Sequence, residues 1–217
     1  MKLTILGATG KTGLHVVRQA LERGYDVTVL VRTPGKLGEY REQVHILEGD
    51  ATHPHDVCTA ITGANAVLST LGYGQGTPPG MFTSAAQNII SAMRQCRIRR
   101  LVWLTGVGIP AKEDTPKILD KLLNAIMRVF ASSMIFDATT AANAIQESGL
   151  DWTIVRVPLL TSSPGTGKYQ VGMVGYSGMS LRIPREDVAR FILDALGAKR
   201  FYGKLPVVSS GSVNVRK

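Results

Sequence analysis

The chain has 217 residues, of which 44% are hydrophobic and 19% charged, and 25 Lys and Arg against 16 Asp and Glu give a formal net charge of +9. This is an ordinary globular composition, and it excludes a disordered or collagen-like chain. Polar or charged residues interrupt every apolar stretch before it reaches the ~18 residues of a membrane-spanning helix. We therefore expect one soluble domain over 1–217, with no membrane partner.

The N-terminal residues and the two cysteines favour a cytoplasmic protein. The first residues enter a strand pattern directly and are too short an apolar run for a secretory signal. Cys58 and Cys96 lack the spacing of metal ligands, so we expect reduced thiols and no bound metal. The basic residues are spread along the chain, and the densest group, between Arg94 and Arg100, follows a helix pattern. We interpret that group as a solvated helix end and expect no nucleic-acid partner.

Short β-branched runs alternate with helical patterns along the chain. In chain order, strands are predicted over 3–6, 27–31, 44–47, 66–70, 101–105, 152–155 and 205–208. Helices are predicted over 13–23, 54–62, 79–95 and 185–196, with two more within 115–148. This alternation predicts an α/β fold: a Rossmann-type, doubly wound, mostly parallel sheet in a single domain, with helices on both faces.

The motif that carries the chemistry is a glycine-rich segment directly after the first strand. A tight strand-to-helix turn needs glycine where φ is positive or where the backbone approaches a ligand, and the N–H groups that open a helix bind a pyrophosphate. The spacing therefore predicts a dinucleotide site formed by Gly7, Thr9, Gly10, Lys11, Thr12 and Gly13. The alternative, a phosphate loop of nucleotide hydrolases, requires glycine at position 5, which is Ile. The segment 165–168, Gly-Thr-Gly-Lys, lacks the same upstream glycine.

The residue after the second strand predicts which cofactor is bound. An NAD site places a carboxylate there to bind the ribose hydroxyls, but this chain has Arg32, with Lys36 close behind. A guanidinium suits a 2′-phosphate, so we expect NADP(H) as the cofactor. The alternative is that Arg32 is an ordinary solvated side chain.

Several motifs together resemble those of a known family. They are Gly-Ala-Thr-Gly-x-Thr-Gly, Val-Leu-Val-Arg at the second strand, Gly49-Asp50, and Asp151-Trp-Thr-Ile-Val-Arg-x-Pro158. On these motifs the chain resembles the atypical short-chain dehydrogenase/reductases, within them the NAD(P)H-binding, NmrA-like group of the biliverdin and flavin reductases. The resemblance implies cofactor contacts from the adenine to the nicotinamide end at Asp50, Ala51, Leu71, Gly72, Thr105, Gly106, Pro158 and Leu159. Asp50 has the alternative of capping the next helix.

The substrate end departs from the pattern of most short-chain dehydrogenases. No Tyr has a Lys four residues on, and Gly106 stands where biliverdin reductases have Ser. The remaining polar candidates are Thr105, Asp137, Thr140 and Tyr169, of which Thr105 and Asp137 are the predicted catalytic residues. Pocket walls are expected from the loop after Leu71 and from small segments within 107–182, namely 127–137 and 159–178.

A site without a tuned proton donor favours an acceptor whose hydride adduct spreads its charge over a conjugated ring. We therefore expect an NADPH-dependent reductase of a small-molecule hydride acceptor such as a flavin, quinone or bilin-like molecule, acting as a monomer or weak homo-oligomer. Two alternatives stay open. One is an NADP-binding redox sensor without turnover, and the other is a sugar-nucleotide epimerase, which the lack of Tyr and Lys disfavours.

Overall fold

The computed structural model describes residues 1–74, 77–116, 132–176 and 179–211. Strands and helices alternate in it as the sequence predicts. The strands are β1 (Lys2–Leu6), β2 (Asp26–Val31), β3 (His45–Glu48), β4 (Ala66–Ser69), β5 (Arg100–Gly106), β6 (Asp151–Val157), β7 (Leu159–Thr161), β8 (Tyr169–Gly172), β9 (Arg182–Pro184) and β10 (Val207–Ser210). The helices are α1 (Lys11–Glu22), α2 (Pro54–Ile61), α3 (Met81–Gln95), α4 (Ser132–Gln146) and α5 (Arg185–Ala195), with 3₁₀ segments at Pro34–Gln43 and Lys199–Phe201.

Eight strands form one sheet in the order β3-β2-β1-β4-β5-β6-β10-β8. All neighbours pair in parallel except β10 and β8. The predicted Rossmann-type fold is confirmed. The strand order reverses between β1 and β4, and in such sheets ligands bind beyond the carboxyl ends of the strands at that reversal.

The core lies on both faces of the sheet. Helices α1 and α5 cover one face, while α2, α3 and α4 cover the other. In α1 the buried positions include Thr12, Val16, Gln19 and Ala20, a three-to-four-residue spacing that puts one side of the helix on the sheet. Central strands are buried on both faces, which explains their continuous apolar runs. Within the described part of the chain, no helix combines the length and apolarity needed to cross a membrane.

Three short strands were not predicted. β7 and β9 pair with each other beside the main sheet, and β8 adds an antiparallel edge. Each has only three or four residues, and the pairings join residues far apart in sequence, so local periodicity does not reveal them. Of the span 115–148, in which two helices are predicted, α4 occupies Ser132–Gln146, and 117–131 lies outside the described residues. Parts of the expected pocket wall, at 127–131 and 177–178, also lie outside them.

Candidate functional site

The glycine-rich turn joins β1 to α1 at the carboxyl edge of the sheet. Gly7 has φ +77°, and a Cβ there would lie 2.7 Å from the backbone nitrogen of Leu71, at the exit of β4. A Cβ on Gly13 would lie 2.1 Å from the carbonyl oxygen of Gly7. These two glycines therefore let the turn pack against its own backbone and against β4.

Gly10 has a different position, at the N-cap of α1. It is exposed, and the one described atom that a Cβ there would approach within 4 Å is the carbonyl oxygen of Gly7, at 3.2 Å. An α-helix leaves its first N–H groups without intrahelical acceptors, and the first turn of α1 contains no acidic side chain. The turn therefore presents free donors and open space where the sequence predicts a pyrophosphate, and its residues fit that group.

Arg32 and Lys36 lie on the surface beyond the end of β2, at the predicted adenine side. The Arg32 side chain is 70% exposed, and its Nη1 atom lies 3.8 Å from Oδ2 of Asp50. Lys36 is exposed in the following 3₁₀ segment. An exposed pair at that distance contributes little to stability, so the guanidinium remains available to an anionic ligand.

Asp50 forms a turn after β3 instead of capping α2. Its Oδ1 accepts hydrogen bonds from the backbone nitrogen and the hydroxyl of Thr52, both at 2.8 Å, while His53 occupies the N-cap position. Burial raises the pKa of Asp50, but the bonds from Thr52 and the charge of Arg32 outweigh it and hold the pKa below its ordinary value. The carboxylate is therefore ionised, with Oδ2 facing Arg32.

Two residues that sequence reasoning missed support this turn. Asp56 accepts the N–H of Asp50 at 2.9 Å, and Asn88 of α3 donates to the carbonyl oxygen of the buried Ala51 at 3.0 Å. Asp56 is in the first turn of α2, where acids are common, and Asn88 is in a helix interior, where a polar amide needs a partner. These sequence positions were the available indications that Asp56 and Asn88 have structural partners.

The predicted nicotinamide end is formed by the exits of β5 and β6, and the exit of β4 beside them is predicted to contact the adenosine. Thr105 is half-buried and pairs in register with Arg156, while Gly106 is exposed at the end of β5. A Cβ on Gly72 or on Gly106 would meet no atom of the described residues within 4 Å. Both glycines therefore face open space at this edge.

Pro158 and Leu159 form the far wall of this edge. Pro158 is half-buried after β6, and Leu159, which begins β7, is 63% exposed. Its N–H donates to the carbonyl oxygen of Leu181, also largely exposed, at 3.1 Å. Exposed apolar side chains beside a cofactor edge are suited to contact a ligand.

Asp137, predicted as catalytic, instead stabilises the start of a neighbouring helix. This α4 residue is buried, and it caps the N-terminus of α3 by accepting the N–H groups of Phe82 at 3.0 Å and Thr83 at 2.9 Å. It also accepts the hydroxyls of Tyr73 and Thr83, both at 2.6 Å. Burial raises the pKa of Asp137, but these bonds outweigh it and hold the pKa below its ordinary value. An ionised carboxylate with four donors is not a proton donor, and the geometry disfavours a catalytic role.

The other polar candidates are also engaged. The Tyr169 hydroxyl donates to Asp194 of α5 at 2.7 Å, and burial followed by this bond raises the pKa of Tyr169. Thr140 donates to the carbonyl oxygen of Phe136 within α4. Of the predicted set, only Thr105 stands at the strand edge without a side-chain hydrogen bond to another described residue.

Comparison with known proteins agrees with this geometry. The sequence profile of the NAD(P)H-binding family matches residues 7–199. The chain belongs to this family. A curated relative, the photosystem II assembly factor Ycf39 of Cyanophora paradoxa, is 25% identical over 99% of the chain, which spans 65% of that relative's length.

Solved structures show the same fold for this NAD(P)H-binding protein. A short-chain dehydrogenase/reductase of Veillonella parvula in complex with NADP is 22% identical, with a TM-score of 0.79 over 96% of this chain and 94% of that one. The anaerobillin reductase ChuY of Escherichia coli O157:H7 is 21% identical, with a TM-score of 0.78 over 100% of both chains. The matched profile thus confirms the NAD(P)H-binding family, and these structures confirm the Rossmann-type fold.

A buried ion pair lies beside the exits of β5 and β6, at the predicted nicotinamide end. Arg156 of β6 is fully buried, and its Nη1 and Nη2 atoms donate to the two carboxylate oxygens of Asp114 at 2.6 and 2.8 Å. Asp114 also accepts the N–H groups of Ala111 and Val174. The pair therefore joins the loop after β5 to the turn after β8. Sequence reasoning missed Asp114, although an arginine inside an apolar strand indicates that a partner exists.

The Gly-Thr-Gly-Lys segment at 165–168 binds the protein's own carboxylates. The N–H of Gly165 donates to Glu186, and those of Thr166 and Gly167 donate to Asp187, at 2.8 to 3.0 Å. These donors are occupied, which agrees with the expectation that the segment is not a phosphate loop. In the described part of the chain, no group of three or more His, Cys, Asp and Glu side chains is placed to hold a metal ion.

Proposed function

We propose that the protein is an NADPH-dependent oxidoreductase that reduces a conjugated acceptor, such as a flavin, a quinone or a bilin-like molecule. When bound, the dihydronicotinamide supplies a hydride. The observation that carries the proposal is the hydrogen bonding of the side chains that could have donated a proton. Asp137 is held as a carboxylate, and the hydroxyls of Tyr73 and Tyr169 donate to carboxylates, so none of the three is free to protonate a substrate.

This arrangement discriminates between acceptors by where negative charge develops. Hydride addition to a simple ketone produces a localised alkoxide, which needs a nearby proton donor, and general acid catalysis typically contributes about 10² to 10⁴ in rate. Hydride addition to a flavin or quinone produces an anion delocalised over a ring, which takes its proton from water. The chain provides open space at Gly72 and Gly106 and an apolar wall at Leu159 for a flat acceptor.

The preference for NADPH is part of the proposal. Arg32 is the cation nearest the end of β2, and it is exposed beside Asp50. We expect NADPH to bind more tightly than NADH by about tenfold, because a charge-assisted bond to the 2′-phosphate adds about 1.5 kcal/mol at an exposed site. Arg32→Ala should remove the difference, and dissociation constants for both cofactors measure it. Equal constants in the wild-type protein would contradict the preference.

The direct test of function is NADPH oxidation with a panel of riboflavin, FMN, soluble quinones and simple ketones. We expect turnover with the conjugated acceptors and rates lower by about 10² or more with the ketones. Ketone reduction at comparable rates would refute the argument from the missing proton donor.

A second function, an NADP-binding redox sensor without turnover, is supported by the same engagement of Asp137, Tyr73 and Tyr169 among the described residues, together with the glycine-rich turn. Tight NADPH binding with no turnover of any acceptor would favour the sensor and exclude the reductase.

A further inference from the structure

A cleft of about 440 Å³ lies along the outer side of α1, next to the glycine-rich turn. One wall is α1 itself, at Lys11, Leu14, His15 and Arg18, and the rest consists of Tyr40, Ser162 and Arg185. The predicted cofactor contacts include Lys11 but none of the others. The cleft therefore begins at the dinucleotide site and extends beyond it.

The cleft is lined by cations with few acceptors. Among the described residues, neither Lys11 nor Arg185 forms an ion pair. Arg18 donates from Nη2 to Glu186, but its Nε atom is buried and has no hydrogen-bond partner in the described part of the protein.

The nearby acids do not neutralise this charge. Glu22 lies 3.8 Å from the Arg18 Nε atom, beyond hydrogen-bond distance, and Glu186 is engaged by Arg18 and by the N–H of Gly165. Burial, and then the charge of Arg18, lower the pKa of His15, which therefore lines the cleft as a neutral ring at pH 7. A cleft with unpaired cations and an orphaned buried donor is suited to an anion.

The far wall connects the cleft to the nicotinamide edge. Ser162 directly follows β7, the strand that begins at Leu159, and Arg185 directly follows β9, the partner of β7. The Arg185 Nη1 atom donates to the Ser162 hydroxyl at 3.1 Å, which holds the guanidinium at this wall. A ligand at the nicotinamide edge can therefore extend an arm along this wall, over Leu14 and the Tyr40 ring.

We propose that this cleft binds an acidic group of the acceptor, so that the substrates are conjugated molecules bearing a phosphate or carboxylate arm. The inference rests on the proposed reductase function and names the substrate class. Arg185 is the residue that recognises the acid, because it lies on the substrate side of the cleft and has no carboxylate partner among the described residues.

The experiment compares FMN with riboflavin, which carry the same ring and differ by one phosphate. In the wild-type protein, kcat/KM for FMN should exceed that for riboflavin by about tenfold, the effect of one charge-assisted contact. Arg185→Gln should remove most of this difference by lowering the FMN value and leave riboflavin unchanged. The matched control is Arg190→Gln, on the same helix but exposed and outside the cleft, which should leave both values unchanged.

The possible results test the acid site in the cleft independently of the proposed reductase activity. Equal values for the two flavins, unaffected by Arg185→Gln, would overturn the acid site while leaving the reductase in place. A loss of NADPH affinity in Arg185→Gln with FMN preference retained would assign the cleft to the cofactor and also overturn it.

If neither flavin is reduced, the quinones of the panel decide the proposed function, and quenching of flavin fluorescence by the NADP⁺-loaded protein still tests the cleft. Tighter binding of FMN that depends on Arg185 would support an acid site. Equal binding of the two flavins, or no binding, would overturn it.

Discussion

Replacing Asp137 tests whether its carboxylate stabilises the fold or takes part in catalysis. Asp137→Ala removes the acceptor of four hydrogen bonds, two from the N-terminal turn of α3 and two from the hydroxyls of Tyr73 and Thr83. Loss of a helix cap costs about 1–2 kcal/mol, and each unpaired hydroxyl about 1 kcal/mol. We therefore expect Asp137→Ala to lower the free energy of unfolding by about 3 kcal/mol, which for a domain of this size lowers Tm by roughly 6–12 °C.

Urea unfolding and a thermal melt measure this effect, with one control variant in the Asp137 contacts and one elsewhere on the same helix. Tyr73→Phe removes one of the four bonds and should cost about 1 kcal/mol. Thr140→Ala, on the same helix with a hydroxyl bonded only to the carbonyl oxygen of Phe136 among the described residues, should cost less than about 0.5 kcal/mol. The reasoning is refuted if the nearly isosteric Asp137→Asn keeps wild-type stability and lowers kcat by 10² or more, the range of a lost general acid.

The remaining predictions concern the glycine-rich turn and the buried ion pair. Gly13→Ala should destabilise the fold, because its Cβ would lie 2.1 Å from a backbone carbonyl oxygen, whereas Gly10→Val should leave a folded protein that no longer binds NADPH. Thermal melts and cofactor titration check both, and wild-type NADPH affinity in Gly10→Val would place the pyrophosphate elsewhere. Asp114→Ala should cost about 3–5 kcal/mol in urea unfolding, because it leaves a buried arginine unpaired, and a loss below 1 kcal/mol would contradict this. Burial raises the pKa of Asp114, but the bonds from its partners outweigh it and hold the pKa below its ordinary value of 3.8, so its stabilisation is complete above about pH 4 and is lost as the pH falls through the folded pKa. Unfolding free energies between pH 2 and 6 should therefore depend less on pH in Asp114→Ala than in the wild-type protein.

The sequence by itself determined the fold class and the cofactor turn. Strand-helix alternation is a local pattern, and the predicted dinucleotide turn consists of seven contiguous residues, so its glycine spacing can be read from the sequence. For the same reason the position of Arg32 was predicted correctly, since it directly follows β2. The sequence did not distinguish the packing glycines, Gly7 and Gly13, from Gly10, which is exposed at the N-cap of α1.

Only the tertiary structure decided what the polar side chains do. Asp137 lies 54 and 64 positions from Thr83 and Tyr73, and its role as a cap depends on α3 and α4 packing side by side. Arg156 likewise meets Asp114 across 42 positions, and Arg185 reaches α1 only because α1 and α5 cover the same face of the sheet. A buried polar group must have a partner, and a sequence shows that requirement. Which partner satisfies it is set by the packing of whole helices and strands. That packing places Asp137, predicted as catalytic, at the N-terminus of α3 as a helix cap.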